Sequence, residues 1–105
     1  MSISSKDAAK LAAAEIRAGL NPEKILLFGS AARGTETATS DIDLCLLFET
    51  LPARKLEVLR RAHKLARSGY KGAIDIVAYS REEWLAYLAI GASFESKLEK
   101  EAIPL

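Results

Sequence analysis

Sulfur and imidazole ligands are scarce in this sequence, which has one cysteine, Cys45, and one histidine, His63. A single cysteine cannot form an intramolecular disulfide, and one cysteine with one histidine cannot supply the four ligands of a structural zinc site. These absences exclude a disulfide-stapled domain and a zinc finger. Because a chain without disulfides suits a reducing compartment, we predict that the protein is cytoplasmic.

Long apolar segments and an excess of one charge are also missing. The apolar runs extend over only a few residues, whereas a membrane-spanning helix needs about 20. No charged segment followed by an apolar one opens the sequence, so we expect neither membrane insertion nor secretion. Fifteen Lys and Arg against fourteen Asp and Glu leave a net charge of +1, which gives no reason to expect direct nucleic-acid binding through overall charge.

The sequence does contain enough apolar material for one hydrophobic core. Half of its 105 residues are hydrophobic and 28% are charged, a balance that favours a folded chain over a disordered one. A chain of this length leaves no room for a second core of ordinary size. We therefore expect a single domain over residues 1–105.

The hydrophobic pattern predicts helices and strands in alternation. Three short runs rich in β-forming residues predict strands: Lys24–Phe28, Asp41–Phe48 and Ala73–Tyr79. Amphipathic segments predict helices that begin near Ser4, Pro52 and Ser80, and Gly91 marks a break before a last helical stretch. In the helix after Pro52, Leu56 belongs to the expected apolar stripe, and Pro104 ends regular structure. This order predicts an α/β fold in which helices flank a small mixed sheet.

A tight turn is predicted directly after the first strand, at Gly29-Ser30. Glycine lets the backbone turn sharply, so backbone amides and the Ser30 hydroxyl can face a bound phosphate. Such turns are also common as plain connections between a strand and a helix. The turn alone therefore leaves both interpretations open.

Three aspartates lie on predicted strands, where this residue is disfavoured. Asp41 and Asp43 are two residues apart, so both carboxylates lie on one face of their strand. Asp75 interrupts another apolar strand, and a neighbouring position would bring it beside the first two. Because like charges repel, three carboxylates at one place are best explained by divalent cations. Two Mg²⁺ ions in such a site would support nucleotidyl transfer.

The combined pattern of Gly29-Ser30, Ala32-Arg33-Gly34 and Ser40-Asp41-Ile42-Asp43-Leu44 resembles the signature of the minimal nucleotidyltransferases, the small branch of the polymerase β-like superfamily. The resemblance covers nearly the whole chain and implies the polymerase β-like nucleotidyltransferase fold. It implies that Gly29 and Ser30 bind the nucleotide and that Asp41, Asp43 and Asp75 bind two Mg²⁺ ions and carry catalysis. Arg33 either contacts phosphate or pairs with an acidic group of the fold.

The same resemblance implies a function and a partner. Small members of the family are commonly antitoxins of HEPN-domain RNase toxins, which they silence by transferring AMP from ATP to a toxin tyrosine. The expected activity is therefore a protein adenylyltransferase that uses ATP and Mg²⁺. The alternative is a binding module without catalysis, which neutralises its partner by contact alone.

A basic helix face is predicted after Pro52, opposed only by Glu57. Its positive residues are Arg54, Lys55, Arg60, Arg61, Lys64 and Arg67, with Lys71 just beyond. A solvated surface, an acidic protein partner and an RNA or nucleotide acceptor each remain open for this face. Cys45 lies among leucines and is interpreted as a small buried apolar residue.

Overall fold

The computed structural model describes residues 4–29, 32, 41–91 and 93–105. Within this part of the chain the helices and strands follow one another in a defined order. They are α1 (Ser5–Leu20), β1 (Lys24–Phe28), β2 (Ile42–Phe48), α2 (Lys55–Gly69), β3 (Ile74–Ser80), α3 (Arg81–Leu88), α4 (Phe94–Glu101) and β4 (Ile103–Pro104). None of the described helices is long and apolar enough to cross a membrane.

The strands form one mixed sheet in the order β3-β2-β1-β4. β1 pairs antiparallel with β2 and with β4, whereas β2 pairs parallel with β3. The parallel pair is connected through α2, as parallel strands require a crossover. The expected small mixed sheet flanked by helices is confirmed.

Each face of the sheet is covered by a different pair of helices. Alternate residues of β2, such as Ile42, Leu44 and Leu46, pack with α1 and α2 in the larger core cluster. The residues between them point to the other face, where Cys45 and Leu47 pack in a smaller cluster with α3 and α4. The period of two along the strand therefore separates two cores.

Local sequence accounts for the helix boundaries. Ser4 caps α1 by accepting a hydrogen bond from the backbone N–H of Asp7, at 3.1 Å. Ser80 and Glu83 form a reciprocal capping box at the start of α3, as predicted. Gly91 has a positive φ of 78° and separates α3 from α4. The expected break at this residue is confirmed.

Two expectations from the sequence are wrong. Pro104 does not end regular structure, because Ile103 and Pro104 pair with Leu27 and Leu26 as a short edge strand. Proline is tolerated there because an edge strand leaves one side without ladder hydrogen bonds. Leu56 does not belong to the buried stripe of α2 and is 70% exposed. The buried residues of this helix are Val58, Ala62 and Ala66.

Candidate active site

Three strand termini meet at one end of the sheet. β1 ends at Phe28 and is followed by Gly29, whereas β2 begins just after Asp41 and β3 begins at Ile74. Because β2 runs opposite to β1 and parallel to β3, the end of β1 lies beside the beginnings of the other two strands. We call this region, defined by Gly29, Asp41, Asp43 and Asp75, the carboxylate end of the sheet.

The strand register places two of the predicted aspartates side by side. Asp43 of β2 is the pairing partner of Asp75 of β3. Paired residues of neighbouring strands project from the same face, and this is the face covered by α3 and α4. Asp43 is half-buried and Asp75 is exposed. Asp41, exposed just before β2, has the same parity as Asp43.

The aspartates nevertheless do not form a compact cluster of three. Among the residues that the structure describes, no group of three or more His, Cys, Asp or Glu side chains is placed to hold a metal ion. The expected convergence is therefore found in the backbone register of Asp43 and Asp75, but not in the side chains of all three residues. Mutual repulsion disfavours the closer approach of like charges. The two register partners remain a suitable oxygen-ligand pair, because Mg²⁺ takes one or two carboxylates together with water and phosphate oxygens.

Gly29 is held between the end of β1 and the Asp43 side chain. Its φ of +74° lies in the left-handed region, and a Cβ at this position would collide with the Asp43 carboxylate, lying 3.1 Å from its Cγ. Any other residue would be strained here and would displace that carboxylate. The predicted turn at Gly29 therefore contributes directly to the geometry around Asp43.

The two other predicted nucleotide-binding residues, Ser30 and Arg33, lie outside the described residues. Their assignment to phosphate contacts stays a prediction. For Arg33, the alternative of a pair with an acidic group stays open as well.

Further along the same face of the sheet lies Cys45, which is not placed to act as a nucleophile. Cys45 is fully buried, and burial raises the pKa of its thiol to about 12, with the negative charge of Glu95 adding to the effect. The thiolate that nucleophilic chemistry needs is therefore suppressed near neutral pH. Its interpretation as a small buried apolar residue is confirmed.

Two cavities flank the carboxylate end, and sequence reasoning identified neither. One, of about 240 Å³, is lined by residues of α2 and of the segment leading into β3, including His63, Arg67 and Asp75. The other, of about 330 Å³, lies between the end of β1 and α4. Two aromatic residues are a sequence signal for the second cavity: Phe28, directly before the Gly29 turn, and Phe94, at the start of α4.

The basic face of α2 is partly neutralised within the protein. Glu57 pairs with Arg60 at 3.4 Å and with Arg61 at 3.2 Å. Lys55 pairs with Glu83 of α3 at 2.8 Å and lies over the ring of Tyr79. These contacts pair three of the positive residues with carboxylates of the chain, and a solvated surface, an acidic protein partner and an RNA or nucleotide acceptor all stay open for this face.

Comparisons with known proteins agree with this fold. The family model described as "Polymerase beta, Nucleotidyltransferase" matches residues 13–93, which is well over half of the chain. A solved structure of a candidate nucleotidyltransferase from Sulfolobus solfataricus aligns with a TM-score of 0.58 over 99% of this chain and 87% of that one. At 19% identity it supports the fold alone. No match is found among curated proteins. The matched segment contains Gly29, Asp41, Asp43 and Asp75. Because the family model matches more than half of the chain, the chain belongs to the polymerase β nucleotidyltransferase family.

Proposed function

We propose that the protein transfers AMP from ATP to a hydroxyl acceptor in a Mg²⁺-dependent reaction. The observation that carries this proposal is the pairing of Asp43 with Asp75 on one sheet face, beside a Gly29 turn whose conformation fits against Asp43. Membership of the nucleotidyltransferase family supports the class of reaction. The nucleotide, the metal and the acceptor belong to the proposal.

The residues at the carboxylate end suit Mg²⁺ by their chemistry. Asp43 and Asp75 offer carboxylate oxygens from neighbouring strands, and Asp41 offers a third carboxylate two positions before Asp43. Mg²⁺ is usually held by a few carboxylates together with water and substrate phosphates, so a complete protein cage is not required. When bound, Mg²⁺ would neutralise charge on the triphosphate; two ions are proposed, as in other phosphoryl-transfer sites.

The chain's own residues would orient the reaction. In the proposal, Gly29 and Ser30 would bind the triphosphate and Arg33 would add a phosphate contact, as the family resemblance implies. Asp75 is exposed and can accept the proton of an approaching hydroxyl. The acceptor oxygen then forms a bond to the α-phosphorus of ATP as the bond to the β-phosphate oxygen breaks, and pyrophosphate leaves.

For the acceptor, we propose a tyrosine of a HEPN-type RNase toxin, which makes the protein a cytoplasmic antitoxin. The support is the resemblance of the Gly29-Ser30 and Asp41-Ile42-Asp43 motifs to those of the minimal nucleotidyltransferases. The exposure of Asp41 and Asp75 agrees with an acceptor as large as a folded protein. A buried pair of carboxylates would instead favour a small acceptor.

The test is transfer of label from [α-³²P]ATP to the product of a neighbouring gene, if that gene encodes a small helical RNase. We expect the parent chain to add AMP to a tyrosine of that protein, detected by mass spectrometry, and its RNase activity to fall. Asp43→Asn and Asp75→Asn should each reduce transfer at least 100-fold, because they remove metal-binding charge while keeping the side-chain shape.

A matched control is Glu49→Gln, which removes an exposed carboxylate just after the end of β2, at the opposite end of that strand from Asp43. It should leave transfer unchanged. If the parent chain adds no nucleotide and both active-site variants still neutralise the partner, the transferase proposal is overturned. The protein would then act by contact alone.

A further inference from the structure

The cavity between the end of β1 and α4 combines aromatic, charged and glycine residues in one place. Its lining residues are Phe28, Gly29, Phe94, Lys97, Leu98 and Glu101. Leu98 is buried and closes the cavity on the core side, whereas Phe94 and Lys97 are exposed at its mouth. The volume of about 330 Å³ lies at the lower end of the range for small-ligand sites, about 300–1,000 Å³.

This cavity is continuous with the carboxylate end of the sheet. Gly29 lines it and also lies against the Asp43 carboxylate. Phe28, another lining residue, is the antiparallel pairing partner of Asp43 and therefore projects from the same sheet face. A ligand held at Asp43 could extend past Gly29 into the cavity without crossing a strand.

Phe94 is placed as a stacking surface within the cavity. Its ring meets Phe28 edge-on, with centroids 5.8 Å apart and planes at 78°. An edge-to-face contact holds the orientation of both rings and covers at most one of the two faces of Phe94. Phe94 is still 51% exposed although it begins α4 beside a buried core cluster. An exposed aromatic ring that is held in place by a neighbour can stack on a flat ligand.

We propose that this cavity binds the base of the nucleoside triphosphate and that Phe94 stacks against it. The inference rests on the proposed function, which places the triphosphate at Asp43 and its neighbours. Leu98 supplies the apolar floor, and Lys97, which also lines the cavity, offers a positive charge to a phosphate of the same nucleotide. Because stacking accepts the face of any base, the cavity favours a nucleotide over inorganic triphosphate without strict base selectivity.

The experiment compares two probes by isothermal titration calorimetry, ATP and inorganic tripolyphosphate, each with Mg²⁺. Tripolyphosphate carries the phosphates but lacks the base. We expect Phe94→Ala to weaken ATP binding about tenfold and to leave tripolyphosphate binding unchanged. Phe94→Tyr should restore ATP affinity, because tyrosine keeps an aromatic face. In the parent chain, ATP but not tripolyphosphate should shift the ring proton signals of Phe94 in NMR spectra.

Two further variants separate the possible failures. Leu56→Ala removes a side chain that is 70% exposed on α2 and should alter neither titration. Asp43→Asn should weaken both probes. If Phe94→Ala weakens both probes equally, or neither, the base site is overturned while the transferase proposal stands. If the parent chain binds neither probe, the proposed function fails and the base site fails with it.

Discussion

Tyr79 connects β3 to α4 through a buried hydrogen bond. Its phenol donates to Oε2 of Glu95 over 2.7 Å, and both residues are buried. Burial, and then the hydrogen bond to Glu95, raise the pKa of Tyr79 above its usual value of 10. The phenol therefore stays protonated and keeps donating at all physiological pH values. Burying a carboxylate costs free energy unless a hydrogen-bond donor compensates it, as the Tyr79 phenol does here.

We expect Tyr79→Phe to lower the free energy of unfolding by about 1–3 kcal/mol, because it leaves the Glu95 carboxylate without this donor. Urea denaturation monitored by circular dichroism measures the effect. The matched control is Tyr87→Phe, which makes the same change at a ring that is 41% exposed and contacts Tyr79 edge-on. If both variants lose the same free energy of unfolding, the hydrogen bond to Glu95 does not stabilise the fold.

At the level of elements, one glutamate links two helices. Glu83 accepts a 3.1 Å hydrogen bond from the backbone N–H of Ser80 at the start of α3 and pairs with Lys55 of α2. The hydrogen bond from Lys55, followed by the one from Ser80, lowers the pKa of Glu83 below its usual value of 4.5. A carboxylate with a lowered pKa stabilises the fold above its unfolded-state pKa, and this contribution is lost as the pH falls through the folded-state value.

We therefore expect Glu83→Gln to weaken the pH dependence of the free energy of unfolding in the acid range. As the pH falls from the usual glutamate pKa of 4.5 through the lowered folded-state pKa, the parent chain loses the ionised contact. Glutamine does not titrate, so the free energies of unfolding of the two chains converge at low pH. At neutral pH the variant should be less stable by under about 1 kcal/mol, since the pair is half-exposed to solvent. Urea unfolding at stepped pH measures both quantities. If the free energies of unfolding of the parent chain and the variant fall in parallel as the pH is lowered, Glu83 is not the source of this pH dependence.

Local patterns predicted those elements that depend on nearby residues. The strand Lys24–Phe28 and the capping box at Ser80 appear as expected, because alternation and capping are properties of a few consecutive residues. The two-residue β4 has no period to detect and forms only because β1 offers it a pairing edge. Likewise, the sequence could place Asp75 on a strand face, but its position opposite Asp43 depends on the register of the parallel pair.

On the scale of the whole molecule, the two sheet faces have different roles. The larger core cluster joins α1 and α2 to one face of the sheet, and its buried members are all apolar. The other face carries the smaller cluster and ends in the aspartates, the Gly29 turn and the flanking cavity. The apolar face thus stabilises a scaffold on which the opposite face can hold two like charges in register. Like charges on directly opposed strand positions cost stability.

The last prediction follows from that cost. In EDTA, Asp75→Asn should raise the melting temperature by about 2–4 °C, because it removes one of the two charges that the Asp43 pairing brings together. Asp7→Asn removes a charge from the first turn of α1, where an acidic residue is favourable, and should give no such increase. With millimolar Mg²⁺ and ATP, the parent chain should have the higher melting temperature, because ligand binding stabilises it by mass action and the Asp75→Asn variant binds more weakly. Thermal unfolding monitored by circular dichroism under both conditions measures the two shifts. If the variant is less stable than the parent chain in EDTA, Asp75 does not repel Asp43. If Mg²⁺ and ATP stabilise both chains equally, Asp75 takes no part in ligand binding.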